Sequence, residues 1–482
     1  MDVLLATILL LAASSPAVYI LGKRNVKASG LTLLLVIAIS MALVLSTYRD
    51  VSLRGEHLEC YYWIPILGSP LTLFTDGVGL LMAATALTIM FSSTLYSLEY
   101  MRNKGSLAEY YSLMTLLAAG VVGIFLTSNL LIFYFCWEFM LVPSYFILGG
   151  WGERRSYSAA FKFFVFTHAG AVAILLGIGA TYFLTGTLDM LQARTLISSA
   201  PKDTLFWIFL AYLLGFIVKM AIVPLHMWLP DAYTSAPSSS AAFLSAIVDQ
   251  ASYYVFMRVL IYILTPPAVL NWPPALSVFS AITMTVGNIF ALAQRNVKRM
   301  VAYVCVADIG YNLIAITSVT PLGVMGNLYF FFVGGMTTAL AFMAVGVMNR
   351  LGIENLDDFS GVGKEMPLTS FALTTAALSF SGVPPFAGFI AKYLVFTAAI
   401  EAGMAWLAVV GVLNSVLQSA YLLRLIHYMY GKKSRRLGLK EPKGILIPIY
   451  IAVILIVVLG LYPSLALDLI QPAASQLSVL TP

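Results

Sequence analysis

The sequence predicts an all-α polytopic membrane protein of about fourteen transmembrane helices, with the seventh and twelfth broken at mid-membrane. Three observations predict this fold class. The 482 residues are 60% hydrophobic and only 10% charged, where soluble domains carry about 25% charged residues. Apolar runs of about twenty residues, the length a helix needs to cross about 30 Å of hydrocarbon, recur from end to end. Lysine and arginine are sorted by side once those runs are threaded back and forth.

Apolar length and breaker residues place the spans at 3–21, 31–47, 74–96, 111–126, 130–148, 161–184, 205–226, 238–264, 275–293, 299–318, 323–348, 371–400, 406–429 and 445–463. The first run contains "LAASSPA" but lacks a basic stretch before it, so it reads as a retained span rather than a leader. The loop Tyr48 to Leu73 carries "CYYWIPI", whose aromatics suit the membrane interface. The tail after Pro463 is mildly apolar and is expected at the surface. With both termini outside, 18 of the 27 lysines and arginines fall in inner loops and 4 in outer loops. That asymmetry obeys the positive-inside rule. The net charge of +6 therefore marks the cytoplasmic face of a multi-pass cell-membrane protein and calls for no nucleic acid or other polyanion.

Several function classes drop out. Cys60, Cys136 and Cys305 are scattered without CxxC spacing, so no iron–sulfur or zinc site is indicated. The histidines His57, His168, His226 and His427 do not have the spacing of a metal cluster, and no phosphate loop or dinucleotide fingerprint occurs. No cofactor is expected, nor any redox catalysis by this chain itself.

Five ionisable residues lie near the middle of spans: Glu138 in the fifth, Lys219 in the seventh, Asp249 in the eighth, Asp308 in the tenth and Lys392 in the twelfth. Each costs about 2.5–3.5 kcal/mol on insertion scales. They read either as buried ion pairs that fix helix registry or as a polar path at mid-membrane. The path is favoured because the two lysine spans also contain helix breakers. The seventh has Pro224 and Pro230; the twelfth has Gly382, Pro384, Pro385 and Gly388. Unwound backbone at that depth is tolerated only where it meets protein or a hydrated cavity. The two spans are five apart, and an odd-numbered repeat must invert in the membrane, so they read as counterparts in an inverted repeat. A buried ammonium gives up its proton more readily than one in water, and a carboxylate moving toward it or away from it loads or unloads that proton. Glu138 and Lys219 are the expected loading pair.

At these residues the chain resembles the antiporter-like membrane subunits of respiratory complex I, multisubunit sodium/proton antiporters and membrane-bound hydrogenases. "KMAIVPLHMWLPDAYTSAPSSSAAFLSA" is similar to the family's seventh-to-eighth-helix signature. "AQRNVKRMVAYVCVADIGY", "SGVPPFAGFIAKY" and "DGVGLL" match three further motifs. The resemblance implies two inverted five-helix repeats, helices four to eight and nine to thirteen. The chain then divides into 1–109, 110–264, 265–429 and 430–482. It further implies proton movement along a mid-membrane axis, with Glu138, Lys219 and Lys392 as matched members of that axis. Implied partners are sister antiporter-like subunits, other membrane subunits and a redox or hydrogenase-like peripheral arm. His226 belongs to the signature, as a proton relay or as a helix-end residue bonded to freed backbone. This sequence departs from the pattern at four places, the first being Ala221, which stands in place of a proline in the seventh-helix motif. Gln250, beside Asp249, stands where most members carry a central lysine. Asp308 stands where histidine or a neutral polar residue is usual. The eleventh helix has Phe330, Gly334 and Thr338 in place of histidines and a lysine. Three readings stay open: a proton-translocating subunit of a respiratory oxidoreductase, a subunit of a sodium/proton antiporter, and a non-conducting structural subunit.

Overall fold

Helices dominate because a backbone deprived of water must satisfy its own N–H and C=O groups. The computed structural model describes residues 2–64, 69–153, 156–197, 200–264, 271–431 and 438–478. The side chains of Ser69, Gln250, Tyr262, Lys443, Ala473 and residues 475–478 are not described. Arg154, Arg155, Lys432, Lys433, Arg435 and Arg436, counted above as inner-face charges, also lie outside the described residues, as does the side chain of Gln250.

The N-terminal part comprises α1 (Val3–Arg24), α2 (Val26–Ser46), the short α3 (Tyr48–Arg54) and α4 (Gly77–Tyr100). Next come α5 (Leu107–Phe125), α6 (Leu130–Trp151), α7 (Ser156–Thr185), the short α8 (Met190–Ile197), α9 (Lys202–Lys219) and α10 (Trp228–Ser235). The eighth expected span is composite: α11 (Ser238–Phe243), a π-helical stretch Leu244–Val248, α12 (Asp249–Phe256) and a second π-helical stretch Met257–Ile263. The rest comprises α13 (Trp272–Ala293), α14 (Val297–Ser318), α15 (Pro321–Arg350), the short α16 (Val362–Glu365), α17 (Pro367–Ser381), α18 (Ala387–Glu401), α19 (Ala405–Gly431), α20 (Lys443–Leu461) and α21 (Ser464–Ser478). Among the described residues, twelve helical stretches are long and apolar enough to cross a membrane. The expected spans absent from that set are the seventh and twelfth, which appear as the helix pairs α9–α10 and α17–α18. The chain is a polytopic helical membrane protein.

Two regions depart from the sequence expectation. The loop 48–73 is not irregular. After α3 it forms an antiparallel hairpin, β1 (Glu56–Ile64) and β2 (Ser69–Asp76), with Glu56 opposite Asp76 and Cys60 opposite Thr72. Its aromatic content hid the period-2 alternation that marks a strand. The tail after Pro463 is the amphipathic helix α21, which lays Ala466, Ile470 and Ala474 against α15 and α4.

The hairpin ties several helices together. Glu59 accepts from the Leu4 and Leu5 amides at 2.8 and 3.0 Å, capping the start of α1 where free N–H groups need an acceptor. Asp76 caps α4 through Gly79 N–H at 2.9 Å and forms a buried ion pair with Arg258 of the eighth span. The Phe74 amide donates to the Leu126 carbonyl.

One tether occurs twice. Leu130 N–H donates to Leu188 C=O at 2.8 Å, while Met190 N–H donates to Ser128 C=O at 2.8 Å. Val297 N–H donates to Glu354 C=O at 2.9 Å, while Leu356 N–H donates to Arg295 C=O at 2.8 Å. Between the members of each pair sits an asparagine that caps the next helix, Asn129 for α6 and Asn296 for α14.

Candidate functional site: a buried line of charges between two broken helices

The two breaks share one backbone plan. In the first, Ala221 N–H donates to Val218 C=O at 3.2 Å and Ile222 N–H to Ile217 C=O at 3.1 Å. In the second, Gly382 N–H donates to Ser379 C=O at 3.0 Å and Val383 N–H to Leu378 C=O at 3.1 Å. Each is a Schellman-type helix ending with a left-handed residue, Ala221 at φ +54° and Gly382 at φ +70°. Each then continues into a cis prolyl bond, Val223–Pro224 and Pro384–Pro385. Alanine carries this geometry at a cost of about 1–2 kcal/mol that glycine does not bear. Freed backbone is partly recaptured: Trp228 Nε1–H donates to Val218 C=O at 3.0 Å, and Val223 N–H donates to Thr283 Oγ1 at 3.2 Å. His226 lies within the first break, buried, its ring stacked over Phe290 at 6.4 Å. Pro230 opens α10 beyond it.

The spans correspond, but the two lysines do not occupy matching places. Lys219 is the last residue of α9, before its break; Lys392 lies in α18, after its break. The lysines are also held differently. Lys219 is 0% exposed, and its Nζ has no hydrogen-bond partner among the described residues. It faces the rings of Phe163 at 5.2 Å and Trp228 at 5.6 Å, the cation–π mode of holding an ammionium without fixing its protons. Lys392 Nζ donates to Gln418 Oε1 at 2.6 Å and Ser415 Oγ at 3.1 Å, and sits 4.2 Å from the Tyr311 ring centroid.

Each lysine has an acid. The carboxylate acting on Lys219 is Asp249 of α12. Both Asp249 oxygens are buried, and the Tyr233 hydroxyl reaches toward them only at the edge of hydrogen-bond distance. Asp308 of α14 acts on Lys392, and Gln418 bridges them by donating to Asp308 Oδ1 at 3.4 Å while accepting from Lys392. Beside this second pair lies a cavity of about 20 Å³, lined by Asp308, Phe330, Gly334, Thr337, Ser379 and Lys392 among others. That is room for about one water. Two residues that stand in place of the larger polar side chains of the eleventh helix, Phe330 and Gly334, line this cavity.

Glu138 is placed apart. Its Oε1 lies 3.7 Å from His168 Nδ1, and His168 stacks on Phe164 at 5.1 Å. Glu138 is partly exposed on the flank of α6, and in this structure its polar neighbours are His168 and Tyr134 rather than Lys219. Pro143 interrupts the α6 ladder a turn and a half later. Sequence reasoning therefore identified the charged residues but paired them differently. It passed over Gln418, one of two amides, with Asn414, in the thirteenth span. It also passed over Asp231, although "WLPDAY" was in view. Asp231 joins Lys162 at 2.8 Å and Arg299 at 2.9 Å in a recess of about 660 Å³ that also holds Glu153 and Glu354. Among the described residues, no three His, Cys, Asp or Glu side chains are placed to hold a metal ion.

The bridge of Gln418 makes a first prediction. Gln418→Leu leaves the Lys392 ammonium and the Asp308 carboxylate each short of a partner, a loss of about 1–3 kcal/mol for buried charged groups. The thermal unfolding midpoint of the purified protein should fall accordingly, and Gln418→Glu, which keeps an acceptor for Lys392, should recover part of the loss.

Buried lysines at helix breaks, each answered by an aspartate on a neighbouring span, define a polytopic ion-translocating type of membrane subunit. Residues 127–418 match the family described as NADH:quinone oxidoreductase/Mrp antiporter, transmembrane. The chain belongs to this family and is an antiporter-like membrane subunit. It is 32% identical over 422 residues to the F(420)H(2) dehydrogenase subunit N of Methanosarcina mazei, covering 84% of each chain. It is 34% identical over 371 residues to the NADH-quinone oxidoreductase subunit N 1 of Chloroherpeton thalassium, covering 76% of this chain and 78% of that one. A solved chain of the membrane-bound sulfane sulfur reductase, an archaeal respiratory membrane complex, superposes with a TM-score of 0.91 at 25% identity, over 99% of this chain and 98% of that chain.

Proposed function

We propose that the chain is the proton-translocating, antiporter-like subunit of a membrane-bound respiratory oxidoreductase complex of the cell membrane. The observation that carries this reading is the pairing of two buried lysines at two like-built helix breaks with two buried aspartates. Protons enter and leave this line as the acid–lysine pairs tighten and relax. The names of its relatives support an oxidoreductase setting, in which redox chemistry belongs to other subunits. The axis comprises Glu138, Lys219, Asp249, Asp308 and Lys392, with Gln250 and His226 beside it and Pro224, Pro384 and Pro385 breaking the helices. The doubled asparagine tether supports two inverted repeats, 110–264 and 265–429, flanked by 1–109 and 430–482. In this reading fourteen spans place both termini outside.

The partners test the reading. An affinity-tagged copy purified from native membranes in mild detergent should bring with it sister antiporter-like subunits and iron–sulfur or hydrogenase-like subunits, identified by mass spectrometry. Recovery with small membrane subunits alone would replace this reading with a sodium/proton antiporter.

A further inference from the structure

The two acid–lysine pairs are separate. Lys219–Asp249 lies against α9 and α12, Lys392–Asp308 against α18 and α14, and the family's central lysine is replaced by Gln250. A line that carries protons needs a group between the pairs.

Tyr253 stands at that place. It lies one turn beyond Asp249 on α12, and residues four apart share a helix face. It is 2% exposed, and its hydroxyl is a buried polar atom whose partner Asn312 sits only at the edge of hydrogen-bond reach. A buried hydroxyl with only a loosely placed partner is costly, so a core that only needed an aromatic here would use phenylalanine. Opposite it, Cys305, Asp308 and Asn312 share one face of α14 by their spacing. Asp249, Asp308 and Cys305 act on the hydroxyl through space, beside its partner Asn312. Depth agrees as well. On α15, Gly334 lines the Asp308–Lys392 cavity. Its neighbour Gly335 abuts the Ala246 carbonyl, in the π-helical stretch that leads into Asp249; a Cβ there would lie 2.8 Å from that oxygen. One turn of α15 therefore touches the eighth span on one side and the second pair's cavity on the other. The flanking π-helical stretches rotate the α12 face relative to a regular helix, a feature frequent at functional sites.

We infer that the Tyr253 hydroxyl is the relay that joins the two halves of the proton line. The inference rests on the proton-translocating reading above. The step is a concerted exchange. The hydroxyl passes its proton toward the Asp308 carboxylate, directly or through one water, as it takes a proton from the Asp249 carboxyl. One O–H bond breaks at the phenol as another forms, so the ring stays neutral and no phenolate is needed.

The test uses the intact complex in proteoliposomes, with a pH-sensitive acridine dye reporting protons moved per electron pair. Tyr253→Phe keeps the ring and removes the hydroxyl. It should lower the proton-to-electron ratio by this chain's whole share while electron transfer and the thermal unfolding midpoint hold. Tyr253→His, which returns a group able to accept and donate a proton, should restore at least half of the lost share. Wild-type stoichiometry in Tyr253→Phe, or a loss that Tyr253→His does not recover, overturns the relay. Lys219→Met separates the two levels. If it pumps normally, the proton-translocating reading itself fails; if it loses pumping while Tyr253→Phe does not, only the relay fails.

Discussion

Lys219→Ala should cut the proton flux carried by this chain about 100-fold, the lower end of what a positioned proton-transfer group contributes. Electron transfer in uncoupled membranes should survive. The expectation follows from how Lys219 is held. Its ammonium has aromatic faces and a through-space acid but no hydrogen bond among the described residues. An ammonium that no fixed hydrogen bond holds is free to turn its protons toward a changing partner. Lys219→Arg sharpens the test. Arginine keeps the positive charge but stays protonated at any working pH. If Lys219 only balanced Asp249, arginine would sustain pumping; if Lys219 carries the proton, arginine is as inactive as alanine. Protons moved per electron pair, measured by dye quenching at matched turnover, decide between them. Normal pumping in Lys219→Ala would remove the residue from the mechanism.

Gly388→Ala should produce a large structural defect. Gly388 lies near the start of α18, just past the second break, where its Cα faces the backbone carbonyl of Ser379 in α17. A methyl group there overlaps that carbonyl, and neither partner is a flexible side-chain end. Overpacking typically costs about 1–3 kcal/mol when side chains can move; here two helices must separate. Separation would displace Lys392, four residues on, from Gln418 and Ser415, and would disturb the Ser379–Thr337 hydroxyl contact of 3.0 Å. The expected result is a drop in unfolding midpoint larger than that of Gln418→Leu, with reduced recovery of the assembled complex. An unchanged midpoint would show that the break tolerates an extra carbon and that the close approach is not structurally required.

The sequence revealed the breaks because proline and glycine act locally, and Pro224 and the cluster Gly382, Pro384 and Pro385 fall within apolar runs beside a lysine. It revealed the buried charges because a charge in an apolar run is conspicuous without a structure. It did not reveal the partners. Which acid faces Lys219 depends on how helices rotate and cross, and hydropathy does not encode rotation inside a bundle whose helices are apolar on every face. Shared depth pairs Glu138 with Lys219, whereas the geometry sets Glu138 beside His168 and Asp249 toward Lys219. Ala221 was unreadable for a related reason. A left-handed alanine has no sequence signature, and only its likeness to Gly382 in the folded chain exposes the shared plan. The hairpin was missed because aromatic residues suit an interface loop and a strand equally.

That hairpin has a mechanical consequence. Through Glu59, Asp76 and Phe74 it pins the start of α1, the start of α4, the end of α5 and, by Arg258, the far end of the eighth span. Helices clamped at one end pivot about that end. Any tilt that opens a path to Asp249 therefore has its fulcrum at the hairpin and its widest swing at the opposite rim, which makes that rim the place to attach distance probes.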